Sequence, residues 1–327
     1  MKILITGANG LIGQNLVKRL VKEGHEVTAL VRKTSKLNEL KDILNLNLAY
    51  GDVRDLESLR EVMGGQEIVF HLAAIVHLPY KEKETYYDVN VKGTENVLIA
   101  CSGNKTLKKL IHCSSVGCYA PLNEELHEDS PCHSQSLYGK SKYEAEKMIK
   151  KFVKSNPIHY VIIRPARVYG PGDLTLLPLF KMVKNGRFFN MGKMDAKMMP
   201  VHIDDMMDAF IQAMDLPIQD GQIYNIAGPE VVTVKKFMDT IANIMDKNIP
   251  KYSIPMPLVK SLAILVQGVF GIINKDPPIS IKKLRFFTHS EIYSINKAKE
   301  ELGFNPSIFI DKGLEDLYSW YKENKLI

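Results

Sequence analysis

The opening stretch "MKILITGANGLIGQNL" constrains the fold of this chain more than any other. An apolar, β-branched run through Ile5 reads as a strand over residues 2–6. A helical pattern follows over 11–23, and Gly7, Gly10 and Gly13 stand between and into it with G-x-x-G-x-x-G spacing. Glycines alone are a weak signal, and their plainest use is a tight turn. Between the first strand and first helix of a βαβ unit they mean more. They let backbone approach a pyrophosphate, and the helix N-terminus offers it free N–H groups. Gly7, Asn9, Gly10, Leu11, Ile12 and Gly13 are therefore expected to hold a dinucleotide.

The pattern continues. Short β-branched runs at 26–31, 46–50, 67–71, 108–113 and 159–163 alternate with helical patterns near 55–63, 81–101 and 135–154. Such alternation implies βαβ units and a parallel sheet covered on both faces, an α/β doubly wound Rossmann fold. Past residue 165 the alternation breaks at "RPARVYGPGD". The expected organisation is a nucleotide-binding domain over 1–165, with return elements near 201–226, and a strand at 222–228 that returns to the sheet. A smaller mixed substrate region takes 166–200 and 227–327. Within it, 232–247 and two tail segments read as helices.

Composition narrows the class. Of 327 residues, 45% are hydrophobic and 24% charged, as in ordinary globular proteins. The net charge of +6 is spread among acids and does not argue for nucleic acid. Cys101, Cys113, Cys118 and Cys132 have no CxxC spacing and no histidine cluster, so buried reduced thiols are expected and no metal site. The N-terminus enters a strand at once and carries no signal-peptide pattern, so a cytoplasmic location is expected. The most apolar run, 254–273, is broken by Pro255, Pro257, Lys260 and Gln267 and falls short of a membrane span. It reads as an amphipathic or buried helix, with membrane-surface contact a weaker alternative.

The end of the second strand shows which nucleotide is expected. A carboxylate there would bind the 2′-hydroxyl of NAD, but Arg32 and Lys33 occupy the place. Cations suit a 2′-phosphate, so NADP is favoured, with NAD possible. Asp52 and Val53 follow the third strand, where adenine would rest. Leu72, Ala73 and Ala74 follow the fourth, small enough for close passage of a cofactor.

In "SLYGKSKYEAEK", Tyr138 and Lys142 stand four apart, on one helix face. Alone, this reads as a snorkelling lysine over a half-buried tyrosine. With TGxxGxxG at 6–13, "GDVRD", "HLAA", "NVKGTENVL", "CSSVGCYA", "RPARVYGPGD" and "VHIDD" in order, nearly the whole chain resembles the extended short-chain dehydrogenases/reductases. The resemblance implies roles. Tyr138 is the general acid/base, and Lys142 and an oxidised nicotinamide lower a phenol pKa that is ordinarily ~10. Lys142 also binds the nicotinamide ribose, Ser115 holds the substrate oxygen, and Asn90 and Pro165 belong to the cofactor side, Asn90 in a mainly structural role. Hydride then passes between nicotinamide C4 and a carbonyl carbon while Tyr138 exchanges the proton.

Departures from the family pattern select a branch. Val116 and Gly117 replace the Asp-Glu of dehydratases. Arg167 stands where many sugar-nucleotide enzymes have Asn, and "KMMPVHIDD" replaces an Arg-containing diphosphate clamp. The chain looks nearer the hydroxysteroid dehydrogenase and dihydroflavonol-reductase side. The expectation is an NADP-preferring oxidoreductase of a secondary alcohol or ketone in a fairly apolar small molecule. The runner-up is a sugar-nucleotide epimerase, and a non-catalytic nucleotide sensor is a third class. Substrate-side candidates are Val116, Arg167, Asp173, Met198, Met199 and His202. Asp204 and Asp205 are expected to cap a helix. In many relatives helices 81–101 and 135–154 form a four-helix interface, so a homodimer is expected by analogy.

Overall fold

The computed structural model describes residues 1–76, 83–120, 124–217, 221–272, 277 and 279–327. Its centre is a seven-stranded sheet. The strands are β1 (Lys2–Thr6), β2 (Glu26–Val31), β3 (Leu46–Tyr50), β4 (Ile68–His71), β5 (Lys109–Cys113), β6 (Tyr160–Pro165) and β7 (Gln222–Ile226). Their order is β7-β6-β5-β4-β1-β2-β3, and every neighbouring pair is parallel. The order reverses beside β1, which opens a crevice at the carboxyl ends of β1 and β4, where doubly wound sheets bind ligands.

Helices α1 (Leu11–Lys22), α2 (Leu56–Met63), α3 (Lys83–Tyr87), α4 (Gly93–Ser102) and α5 (Leu137–Phe152) connect the strands. In α1, Gly13, Leu16, Val17 and Leu20 form the buried stripe, the i, i+3, i+4, i+7 spacing of an amphipathic helix. Asp55 caps α2 by accepting from the Glu57 N–H, and Ser136 caps α5 through the Gly139 N–H. The helix expected from residue 81 is described from Lys83. Between α3 and α4 a π turn spans Asp88–Lys92, which widens the helix where Asn90 sits.

The second half adds α6 (Leu177–Lys184), α7 (Ile203–Asp215), α8 (Val234–Ile244), α9 (Met256–Ile272), α10 (Ile281–Thr288) and α11 (Ile310–Glu323). Helix α7 packs on α1, where Arg19 pairs with Asp208 at 3.2 Å. A separate apolar cluster unites Phe180, Phe237, Ile241, Leu317 and Tyr321. The expected helix 232–247 starts late, because Val232–Thr233 is a short strand against Lys197–Met198, and Thr233 caps α8 through the Lys236 N–H. In the tail, the first expected helix is present over 296–302 and finishes as a π turn over Ala298–Leu302, stopped by Gly303 at φ +72°. Asp204 and Asp205 do not cap α7. His202 does, its ring accepting from the Asp204 N–H at 3.3 Å, while Asp205 accepts from the Ser307 and Ile308 N–H groups.

Candidate active site

A cavity of about 840 Å³ runs from the glycine loop past the ends of β4 and β5 to Tyr138 and the second half of the chain. One end is the glycine cradle. Gly7 has φ +70°, and a Cβ there would lie 2.6 Å from the Ala73 nitrogen. A Cβ on Gly13 would lie 2.3 Å from the Gly7 carbonyl oxygen. These two glycines hold loop, strand and helix together. Gly10 differs: its Cβ would meet nothing nearer than 3.4 Å, and no side chain caps α1 there. Space and unused N–H groups at one helix start suit a pyrophosphate.

The floor beside this cradle is pinned by a buried chain. The Thr6 hydroxyl accepts from the Ala73 N–H at 3.2 Å and bonds His71 Nδ1 at 2.8 Å. His71 Nε2 meets the Thr94 hydroxyl at 2.9 Å, which donates to the Asn90 carbonyl. Burial, with the charge of Lys142, brings the His71 pKa down to about 3, so the ring is neutral. At the far end of the cradle Arg32 lines the cavity beside Asp52 and Arg54. Asp52 accepts from Arg54 at 2.7 Å, and this bond, joined by the charge of Arg32, holds its carboxyl below the usual range.

Ser115 and Tyr138 meet at the other end. Ser115 caps the 3-10 turn Val116–Cys118, its hydroxyl accepting from the Gly117 N–H at 3.0 Å. Helix α5 approaches this turn so closely that a Cβ on Gly139 would lie 1.9 Å from the Gly117 carbonyl oxygen. Gly139 is thus what brings Tyr138 against Ser115. A glycine in the first turn of a helix disfavours the helix and asks for such a reason. Burial pushes the Tyr138 phenol above its ordinary value, and the nearby Ser115 hydroxyl acts the other way. The expected lowering by Lys142 does not dominate.

Lys142 lies on the buried stripe of α5, 1% exposed. No hydrogen bond to its ammonium is found among the described residues, and burial lowers its pKa. One turn on, Glu146 forms a bidentate pair with Arg164 on β6 at 2.9 and 2.6 Å and accepts from the Ser114 hydroxyl.

Of the residues singled out from sequence, Gly7, Asn9, Gly10, Leu11, Ile12, Gly13, Arg32, Asp52, Val53, Leu72, Ala73, Ala74, Ser115, Val116, Tyr138, Pro165, Arg167 and Asp173 line this one cavity. Lys142, Asn90, His202, Met198 and Met199 do not. Asn90 instead grips both backbone groups of Ile75 and donates to Ser141, fixing the loop after β4. His202 is buried at its helix cap, edge-on to the Tyr169 ring at 5.5 Å, so it is a packing residue and not a substrate contact. Arg54, Gly139, Arg285 and His289 belong to the site and were not anticipated. The last two come from α10 and its end, where the sequence carries no motif.

The chain matches the profile of the NAD dependent epimerase/dehydratase family over residues 3–227. It is 27% identical to the 2-alkyl-3-oxoalkanoate reductase of Shewanella oneidensis, over 96% of this chain and 84% of the relative. It is 26% identical to a putative dihydroflavonol 4-reductase of Synechocystis sp., over 98% and 94%. Among solved structures, UDP-glucuronic acid 4-epimerase from Bacillus cereus in complex with NAD superposes with a TM-score of 0.79 at 24% identity, covering 99% of both chains. An α/β fold with a glycine cradle at one end of its cavity and a Ser115–Tyr138 pair at the other completes the match: this chain belongs to the NAD dependent epimerase/dehydratase family and is an enzyme of the extended short-chain dehydrogenase/reductase type.

Proposed function

We propose that this enzyme interconverts a secondary alcohol and a ketone on a fairly apolar small molecule, with NADP as the preferred cofactor. The observation that carries the reading is that Ser115 and Tyr138 stand side by side against Gly117 in a cavity whose other end is an open glycine cradle. The nicotinamide, when bound, supplies or accepts the hydride. Everything else falls to the chain. Gly10 and the start of α1 receive the pyrophosphate. Arg32, beside Arg54, meets the 2′-phosphate. Lys142, buried just behind the cavity wall without a hydrogen-bond acceptor of its own among the described residues, is suited to a ribose hydroxyl once its ammonium turns toward the nucleotide. Ser115 holds the substrate oxygen, and the Tyr138 phenol, kept protonated by burial, gives that oxygen its proton in the reductive direction. Val116 and Tyr293 supply apolar wall. A cytoplasmic site of action agrees with four free cysteines, two of which, Cys118 and Cys132, share a hydrogen bond at 3.4 Å.

A second reading, transient oxidation in a sugar-nucleotide epimerase, draws support from Arg167 and Arg285, two cations on the same wall that suit a diphosphate. The reductase is preferred because Arg32 and Arg54 at the ribose end favour a nucleotide that exchanges each turnover. The test is ketone-dependent NADPH oxidation across a panel of apolar ketones. Wild type turns over, and Tyr138→Phe loses about 10²–10⁴-fold in kcat while still binding nucleotide. A variant as active as wild type would remove Tyr138 from the chemistry.

A further inference from the structure

Helix α9 leaves an apolar face uncovered. Val259, Ala263, Val266 and Phe270 form one stripe at i, i+4, i+7, i+11 spacing, and Val259 and Ala263 are buried against Leu284 of α10. About 100° around the helix, Leu258, Leu262, Leu265 and Val269 form a second stripe with the same spacing. Each of these four is more than half exposed. Tyr252 and Ile254, just before the helix, are exposed as well. A contiguous apolar face of this kind on a monomer marks a contact surface.

Charge says what the face meets. Residues 247–290 hold seven of the chain's 43 Lys and Arg but only one of its 37 Asp and Glu. The remainder of the chain thus has 36 of each sign, and the whole net charge of +6 belongs to this one segment. An open apolar stripe inside a locally cationic segment is complementary to anionic headgroups over acyl chains. The 17 residues of α9 are about 25 Å long, short of the ~30 Å hydrocarbon core, and no described helix is long and apolar enough to cross a membrane. The helix would therefore lie in the interface plane.

We propose that α9 and its basic flanks dock this enzyme on the surface of an anionic lipid bilayer. The neighbouring α10 carries Arg285 on the cavity wall, with His289 just beyond its end, so docking puts the cavity next to the membrane face. Delivery of an apolar substrate from the bilayer rests on the function proposed above, whereas docking itself does not.

The experiment is co-sedimentation of the full chain with vesicles, which needs neither substrate nor turnover. Vesicles of mixed phosphatidylglycerol and phosphatidylcholine are compared with pure phosphatidylcholine. Wild type should bind the anionic vesicles about tenfold more tightly, with the preference fading as salt rises. Leu262→Glu combined with Leu265→Glu should cut that binding about tenfold or more, with an unchanged circular dichroism spectrum. Should that variant not fold, Lys251→Glu with Lys260→Glu should still weaken binding to anionic vesicles. Absence of binding, equal binding to both lipids, or full binding by both variants would overturn the proposal. So would sedimentation velocity without lipid showing a wild-type dimer that the Leu262/Leu265 variant splits, since a second copy would then cover the stripe. An inactive enzyme that still binds vesicles would count against the reductase reading alone.

Discussion

The Glu146–Arg164 pair offers a perturbation whose size follows from its burial. Both side chains are almost wholly inaccessible, 0% and 2% exposed, and two charge-assisted bonds join them. Arg164 also donates to the Tyr119 hydroxyl and the Glu128 carbonyl, each at 2.8 Å. Burial alone would pull the guanidinium pKa down, but the bond to Glu146 and its charge more than offset this and hold it up. Glu146→Leu strands a buried cation, and Arg164→Met strands a buried carboxylate. Either should cost about 3–5 kcal/mol of unfolding free energy. Glu146→Leu with Arg164→Met removes both charges and leaves the Ser114 hydroxyl and the Glu128 carbonyl short of partners, while Tyr119 keeps its bond to Asn225, a cost of about 1–3 kcal/mol. Urea unfolding of the set should therefore show strong non-additivity, about 2 kcal/mol or more, with m-values unchanged. The pair ties the helix of Tyr138 and Lys142 to β6, so the single variants should also lose activity. Single-variant losses under about 1 kcal/mol, or losses that simply add, would refute this account of the buried pair.

Other outcomes follow from the cradle and the floor beneath it. Gly13→Ala drives a Cβ against backbone atoms and should lose about 1–3 kcal/mol of stability. Gly10→Ala has room and should keep its stability while losing nucleotide affinity, so equal melting of the two variants with equal binding would refute the roles given. His71, with its pKa brought to about 3, and His112, buried and held well below 6.5, are both neutral in the folded state. The unfolded chain binds those two protons and the folded chain does not, so stability falls as pH falls below 6.5. Around pH 5, before most carboxylates titrate, the slope should approach about 2.7 kcal/mol per pH unit. A flat stability profile between pH 6.5 and 5 would contradict it.

Much of the nucleotide half is legible in the sequence because its signals are local. Each strand is a short β-branched run between breakers, and Gly7 and Gly13 stand where the turn and the close packing of α1 leave no room for a side chain. Legibility fails where the reason for a residue lies elsewhere in the chain. Gly139 reads as an ordinary small residue until the Gly117 carbonyl is seen pressed against it. His202 resembles a site residue until the Asp204 N–H and the Tyr169 ring are found on it. Arg285 and His289 reach the cavity from a segment with no motif. The sequence predicts an amphipathic or buried helix at α9, and the structure has the amphipathic one. Hydrophobic pattern marks an apolar face but does not say whether anything covers it, and here one stripe is packed and its neighbour open.

The most direct test of the central claim is a fluorescence titration of the purified protein with NADPH and with NADH. Arg32 meeting a 2′-phosphate predicts NADPH binding at least about tenfold tighter, with the preference lost in Arg32→Ala. Equal or tighter NADH binding, or NAD carried through purification, would contradict the NADP reductase and bring the epimerase reading forward.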